Sequence, residues 1–404
     1  MKTFILIAIT IIATNIYAQE PTDALRYSWL TQNGTARNQA IGGASASLGG
    51  EFSTLFVNPA GLGFYKTDEL VLTPAFNMQK NKSTYKNSLS NTSKNKINFG
   101  ASGLLFSFDN NQTNKIRNFT IAFGVNRIAD YNSNIFYKGL NNKASYSEKY
   151  LEELKYNNVT DPNIAARKFP YGASLALNTY LIDTSKTLGF KKLPNPVTGL
   201  NQENTINSSG GLTDIALGGA VNVRDKWFFG GTISVPVLNY SRDTHFKESD
   251  ATTNTTNNFN YLQVNETLKT KGAGVTAKLG VIYKPVEYVR LGLTLHTPTF
   301  YDLTDTYTTE VITDLEGYGG AGIKRQSSLD FNNNQPGELK YSLTTPWKII
   351  ASASYVFREL ENVKKQRAFI TADVEYVDYK SASFTANDGN TDTKNYFSEL
   401  NKTI

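Results

Sequence analysis

The stretch "NFTIAFGV", residues 118 to 125, alternates throughout. Phe119, Ile121, Phe123 and Val125 fall on one face, with Thr120, Ala122 and Gly124 on the other. Period two is the strand period, because successive side chains point to opposite faces of a sheet. The pattern recurs further along the chain. "TDIALGGAVNV" (213–223) sets Ile215, Leu217, Val221 and Val223 against Asp214, Gly218 and Asn222. "YVRLGLTLH" (288–296) sets Val289, Leu291, Leu293 and Leu295 against Arg290, Thr294 and His296. "FITADVEYV" (369–377) sets Ile370, Ala372, Val374 and Tyr376 against Asp373 and Glu375. A sandwich uses the same period, so alternation establishes an all-β chain without choosing its class.

The connections choose it. Strands read at 69–79, 96–108, 116–138, 205–223, 226–242, 260–284, 286–301, 337–357 and 367–385. Every second connection is short: "DNNQTNK", "RDK", a turn near "KPVE", and "RELENVKKQ". The others are long: "NKSTYKNSLSNTSKNK", about sixty residues from 140, about seventeen from 243 and about thirty-five from 302. Short turns on one rim and long loops on the other are the pattern of a transmembrane antiparallel β-barrel. Several strands also exceed the five or six residues usual in a globular sheet.

The N-terminus agrees. Lys2, an apolar run from Phe4 to Ala13 and the small Ala18 before Gln19 read as a signal peptide over 1–18. The run is too short to span a bilayer as a helix. The mature chain is therefore expected outside the cytoplasm, in the outer membrane of a bacterial cell. There is no cysteine, which excludes disulfides and thiolate metal sites together. Beyond the signal no apolar run approaches eighteen residues. A net charge of +6 without a long basic block argues against a nucleic-acid partner. The mean hydropathy of -0.37 suits a barrel, which shows lipid only alternate residues.

Little chemistry is written in the chain. Its two histidines, His245 and His296, stand in no Ser/His/acid arrangement, so no enzyme activity is expected. "GGASASLGG" lacks the Lys-Ser/Thr of a phosphate loop. Asp373 and Glu375 could do acid–base work, but a solvated polar lumen explains them more simply. Asp214, Arg290, His296, Asp373 and Glu375 are the lumen-facing polar candidates; no cofactor or metal is called for. In the loop at 140–204, "SEKYLEELKY" and "FPYGASLALNTYLI" read as helices, the second with Pro170 in its first turn. Their apolar faces either pack on each other or form a greasy landing site.

One strand is irregular. Alternation fails through "NRIADYNSN" (126–134) and resumes at "IFYKG". Asn126, Arg127, Asp130, Asn132 and Asn134 crowd a stretch that a lipid-facing strand would not tolerate at mid-depth. Either the strand kinks inward there and leaves a gap in the wall, or it clears the membrane by Asn126.

The segment before the first strand carries a resemblance. "ARNQAIGGASASLGGEFSTLFVNPAGLGFY" (36–65) resembles the FadL/TodX family of outer-membrane transporters for hydrophobic compounds, with its Asn-Pro-Ala at Asn58, Pro59 and Ala60, followed by Gly61. "GAGVTAKLGVIYKPVEYVRLGLTLHTPTFYDLTDTY" is similar to the family's paired mid-barrel strands, and "TADVEYVDY" to a late strand of its Bacteroidetes-type members. The resemblance implies a fourteen-stranded barrel (67–404) plugged by an N-terminal hatch (19–66). It implies passive uptake of long-chain fatty acids or aromatic hydrocarbons by a monomer, with lateral exit near a kinked strand into outer-membrane lipid. With nine strands counted before "SELNKTI", about five C-terminal strands are expected to be missing from this chain. Small residues in the hatch permit close backbone approach. Pro59 fixes its own φ and holds Asn58 extended, leaving the Asn58 side chain to satisfy buried backbone groups. The alternatives are a barrel of this shape in protein secretion or surface attachment, a polar porin, and a barrel lipase. A plug argues against the porin, and the missing triad against the lipase.

Overall fold

The computed structural model describes residues 21–31, 33–109, 115–185, 189–320, 322–357 and 368–403. The signal at 1–18, the "RELENVKKQ" turn and most of "DNNQTNK" lie outside them.

Strand β1 (Glu69–Val71) is short, and β2 (Pro74–Tyr85) and β3 (Ser88–Phe99) follow as a hairpin. Next come β4 (Ser102–Asp109), β5 (Ile116–Asp130) and β6 (Ser133–Asn141). A small hairpin, β7 (Ile182–Ser185) and β8 (Gly189–Lys192), precedes the long strands β9 (Leu200–Val223), β10 (Trp227–Asp250) and β11 (Tyr261–Val286). Then come β12 (Val289–His296), β13 (Phe300–Asp314), β14 (Lys324–Ser327), β15 (Gly337–Thr344), β16 (Lys348–Phe357), β17 (Ala368–Val377) and β18 (Ser383–Ala386). Apart from the two hairpins, the described strands form one fourteen-stranded antiparallel sheet, with the path β1-β4-β5-β9-β10-β11-β12-β16-β17. The described helices are α1 (Pro21–Ser28), α2 (Ala36–Ala40), α3 (Glu148–Tyr156), α4 (Pro162–Lys168), α5 (Ala173–Asn178) and α6 (Thr391–Asn401). None of them is long and apolar enough to cross a membrane.

One face of the sheet is covered by the N-terminal segment and the other is open. On the open face β10 reads Trp227, Phe229, Gly231, Ile233, Val235, Val237 and then changes to Asn239, Ser241, Asp243, His245. On β11 the same face reads Tyr283, Val281, Leu279, Ala277, Val275, Ala273 and then Lys271, Lys269. Register aligns the two changes: Val237 stands opposite Ala273, and Asn239 opposite Lys271. On β9, Thr213 faces Val237 and Gly211 faces Asn239, with Ile215, Leu217, Val221 and Val223 below. The apolar band thus ends at one level across three strands. Trp227 stacks on Tyr283 at its foot, with ring centroids 4.2 Å apart. Above that level the covered face turns apolar. Leu238, Tyr240, Leu212, Leu303 and Tyr341 join α1 and α6 in one core, and Phe246, Leu262 and Val311 join α3–α5 in another.

Several strand boundaries differ from the sequence reading. The stretch 81–96 is not a loop: β2 and β3 pair along their full length around Lys86 and Asn87, whose φ values are 46° and 65°. Positive φ at both central residues gives the tight turn whose twist matches a hairpin. Residues polar on both faces hid these strands. β9 and β10 each run 24 residues, and β13 reaches Asp314. The loops from 243 and 302 are correspondingly shorter, because their first residues continue strands whose open face has become polar. Six strands of the sequence reading are each split in two: 69–79 at 72–73, 96–108 at 100–101, 116–138 at 131–132, and three more. The strand read at 286–301 breaks at Thr297–Thr299, and 337–357 at Thr345–Trp347; Pro298 and Pro346 cannot donate to a ladder. The strand read at 367–385 breaks between Val377 and Ser383. Within "FPYGASLALNTYLI" only Ala173–Asn178 is α-helical, so Pro170 precedes the helix instead of opening it.

Candidate functional site: a plugged face and a cavity beside a broken strand

The motif "FVNPAGLGFY" (56–65) forms a 3-10 turn, Pro59–Phe64, on the covered face. Proline suits the first position, where an N–H would have no partner. Asn58 caps the turn and is completely buried: its Oδ1 accepts from Ala60 N at 3.1 Å, and its Nδ2 donates to the Ala46 carbonyl at 2.6 Å. One carboxamide therefore ties two turns of the segment together. Glu51 caps the preceding turn, Phe52–Leu55, by accepting from Ser53 N.

The sheet is shaped to receive this segment. A side chain at Gly280 would meet Asn58 Oδ1 at 1.9 Å, one at Gly230 the Pro59 backbone at 2.3 Å, and one at Gly292 the Ala46 carbonyl at 2.5 Å. Gly218 lies beneath Leu55, and Gly103 and Gly124 beneath Phe52. Strand glycines are costly unless another backbone must come close. Here each marks a point of contact with the segment.

All five lumen candidates lie on this covered face. Arg290 donates from Nη1 to the Leu48 carbonyl, and its guanidinium stands 4.6 Å from the Phe64 ring centre. His296 Nε2 lies 2.7 Å from the Val57 carbonyl, a contact that requires the proton on that nitrogen. Asp373 accepts from Ala46 N at 3.2 Å and from Ser352 Oγ at 2.5 Å. These three hold the segment. Asp214 instead pairs with Lys278 at 2.6 Å, with both side chains buried, and Glu375 with Lys348 at 3.2 Å. His245 belongs elsewhere: it is exposed on the open face beside Asn265.

The two ion pairs and His296 form the polar floor of a cavity of about 110 Å³, where the strands break at Thr297 and Thr345. Its other walls are less polar: Tyr27, Trp29 and Leu30 from the N-terminal segment, with Ile128 and Tyr301 from the sheet. Asp214 Oδ1 has no hydrogen-bond partner among the described residues. Lys278 and Lys348 were not singled out from the sequence. Lys278 was legible, since it falls on the inward phase of "VTAKLGV". Among the described residues no group of acids and histidines could hold a metal.

Ile128 lies in the irregular stretch. β5 carries a bulge between Arg127 and Ala129, ends at Asp130, and resumes as β6 at Ser133 on the same neighbour, β9. Arg127 stands opposite Thr213 and donates to its hydroxyl at 3.0 Å. The polar run therefore begins at the edge of the apolar band, not at its middle. Asn126 points to the covered face, 2% exposed, and donates to the Asn33 carbonyl. β4 pairs with β5 only as far as Val125. Beyond it the free edge of β5 is met by Thr31 N on the Ile128 carbonyl and Asn33 Nδ2 on the Arg127 carbonyl. Asp130 accepts from Asn77 and Asn98 of the β2–β3 hairpin, and Asn132 closes back on Asp130.

The outer helices bury their apolar faces. Tyr150, Leu154, Ala165, Leu175 and Ala176 form a core with Leu200, Phe246 and Val264. They pack on each other and on the strands, while Tyr156 and Ile164 stay exposed. Compared with protein-family models, curated proteins and solved structures, the chain matches none.

Proposed function

We propose that the chain is an outer-membrane β-barrel that passes hydrophobic small molecules, such as long-chain fatty acids or aromatic hydrocarbons, from the cell surface into the bilayer. In this reading residues 19–66 are a hatch in the lumen, and the covered face is the lumen wall. The observation that carries it is the apolar band on the open face. From Trp227 to Val237 it runs ten residue steps. At ~3.3 Å per residue and a tilt of ~40° that is roughly 25 Å of height, the thickness of a barrel's lipid-facing belt. A soluble protein does not leave such a band open to water.

The band supports the membrane, and the cavity marks a path beside the wall, though at about 110 Å³ it is smaller than a site that encloses a whole ligand, roughly 300 Å³ or more. It lies between the hatch and the wall, with ion pairs on one side and Trp29, Leu30 and Ile128 on the other. It reaches the one place in the described wall where β5 loses its neighbour below a strand break. An apolar molecule leaving there has bilayer as its next solvent, which needs no energy source. Asn58, Pro59, Ala60 and Gly61 would set the hatch, and Asn126, Arg127, Asp130 and Asn132 the frame of the exit.

The test is uptake of a fluorescent fatty acid by proteoliposomes, with native mass spectrometry of the purified protein for retained lipid. Transport no faster than in protein-free vesicles, together with an empty lumen, would sink the reading. The folded outer cap favours a second reading, a docking platform in protein secretion or surface attachment. Co-purification of a defined partner protein, lost when residues 144–199 are replaced by a short linker, would select it.

A further inference from the structure

Among the described residues, the β2–β3 hairpin is the one long element that leaves the main sheet. It lies along β6 and the broken end of β5 without pairing its backbone to either. Side chains hold it there. Asn77 and Asn98 donate to Asp130, at 2.9 and 3.0 Å. Asn81 and Thr92 donate to the Asn134 carbonyl, and Lys94 to the Ser208 carbonyl at 2.6 Å. At the tip, Tyr85 leans on Tyr137 and donates to Gln202. At the base, a backbone bond from Gly100 N to the Thr73 carbonyl joins the two legs. The hairpin is thus fixed at its root and only latched along its length.

Its other side faces outward and changes character along its height. Near the root, Phe76 stands opposite Ile97 and Pro74 opposite Phe99; Phe76, Met78, Ile97 and Phe99 are between 58% and 70% exposed. Above them the exposed positions become Lys80, Lys82 and Asn91, with Leu89 at the tip. Apolar residues topped by lysines suit the outer edge of a bilayer, where the stems lie in lipid and the ammonium groups reach the headgroups.

We propose that this hairpin is a movable door over the gap beside β5, hinged at Thr73 and Gly100 and latched on Asp130 and Asn134. The inference rests on the barrel reading, and adds to it which element opens. A wall strand could not do this, because parting it would leave a row of backbone groups unpaired in lipid. The hairpin keeps its own ladder whether it is docked or swung out, and only side-chain bonds at the water-facing rim are exchanged.

The chain has no cysteine, so a designed pair would be its only thiols. Asn81→Cys with Asn134→Cys, joined by oxidation or by a short bifunctional maleimide, should lock the door. Uptake of the fluorescent fatty acid should fall to the level of protein-free vesicles, and reducing the disulfide back to two thiols should restore uptake. Asp130→Ala, which removes two latch bonds, should speed uptake. Spin labels at the same two positions in liposomes should show two distance populations. Uptake unchanged by the lock, or one narrow distance in the wild type and in Asp130→Ala alike, would overturn the door. If the unmodified protein takes up nothing, the transport reading fails, and the distance measurement alone decides whether the hairpin moves.

Discussion

The lower and upper halves of β9, β10 and β11 are built on opposite plans. Below the line through Thr213, Val237 and Ala273, the open face is apolar and the covered face carries Gly218, Thr232, Ser234 and Lys278. Above it, the open face carries Asn239, Ser241, Lys271 and Lys269, and the covered face carries Leu238, Tyr240, Leu262 and Val264. The strands do not end at the line, and their hydrogen-bond register runs through it. What changes is what each face meets: in our reading, lipid outside and the N-terminal plug inside below, with Phe52, Leu55, Phe56 and Leu62 among its contacts, and water outside and a conventional apolar core inside above. An unbroken backbone can serve both because the side-chain period of two leaves each face free to be chosen separately.

The largest expected effect lies where the two plans meet. Lys278 and Asp214 are buried together at the cavity floor. Lys278→Met leaves a buried carboxylate uncompensated, a loss of ~3–5 kcal/mol by analogy with other broken buried pairs. The double variant Lys278→Met/Asp214→Leu should recover most of it, measured as the urea midpoint for unfolding from detergent micelles. A double variant as weak as the single one would mean that the pair contributes more than mutual neutralisation.

A matched pair of arginines tests the inversion itself. Ile233→Arg, on the open face of the lower half, should cost ~2–4 kcal/mol, as basic residues do near a bilayer midplane. Ser241→Arg, on the same face of the same strand in the upper half, should lie within ~0.5 kcal/mol of wild type. Equal costs at the two sites would remove the lipid boundary from between them.

The proposed hatch supplies the next effect. Asn58→Ala loses the bonds to Ala60 and Ala46 and leaves the Ala46 carbonyl without that donor, worth roughly 1–3 kcal/mol locally. Uptake should fall while heat resistance of the sheet in detergent stays the same, because the ladder lies elsewhere; equal uptake at equal expression would leave Asn58 a structural role only. A barrel that no longer assembles would make Asn58 a structural residue of the whole and not of the plug.

The sequence made the lower half legible and concealed much of the upper. Alternation with an apolar open face exposed "NFTIAFGV" and "YVRLGLTLH" as strands, because one face meets a uniform solvent. Where both faces are largely polar, as in the upper part of the β2–β3 hairpin, no periodicity survives, and 81–96 reads as a loop. Prolines 298 and 346 stand inside strand-like runs, and a broken ladder is their local effect. The Asn58–Gly61 motif is visible in the sequence, and its counterpart in the sheet is a set of glycines. "GG" at 218–219 and 230–231 and Gly280 and Gly292 sit within strands, where a glycine asks for a reason. The ion pairs are a matter of three dimensions: Asp214 and Lys278 lie two strands apart, and only the register brings them together.

The smallest effect belongs to the upper cap. Glu153, on α3, accepts from Ala173 N at 2.7 Å, at the start of α5. Burial holds its carboxyl above the usual carboxylate range, against the opposing pull of that N–H and of Lys149. A carboxyl whose value is raised on folding binds its proton more tightly in the folded state. The cap is therefore most stable below the unfolded value, loses stability as pH climbs towards the folded value, and changes no further above it. Glu153→Gln keeps an oxygen for the Ala173 N–H and removes the charge, so the slope should vanish while the fold remains. The readout is hydrogen exchange of the α5 amides across the carboxylate range, since the strands below would mask so local a change in any global melt. The wild type should exchange faster at neutral pH than in mild acid, after correction for intrinsic rates, by less than the ~1 kcal/mol of an ordinary hydrogen bond. Parallel pH profiles for wild type and variant would show that Glu153 is not the group that titrates the cap.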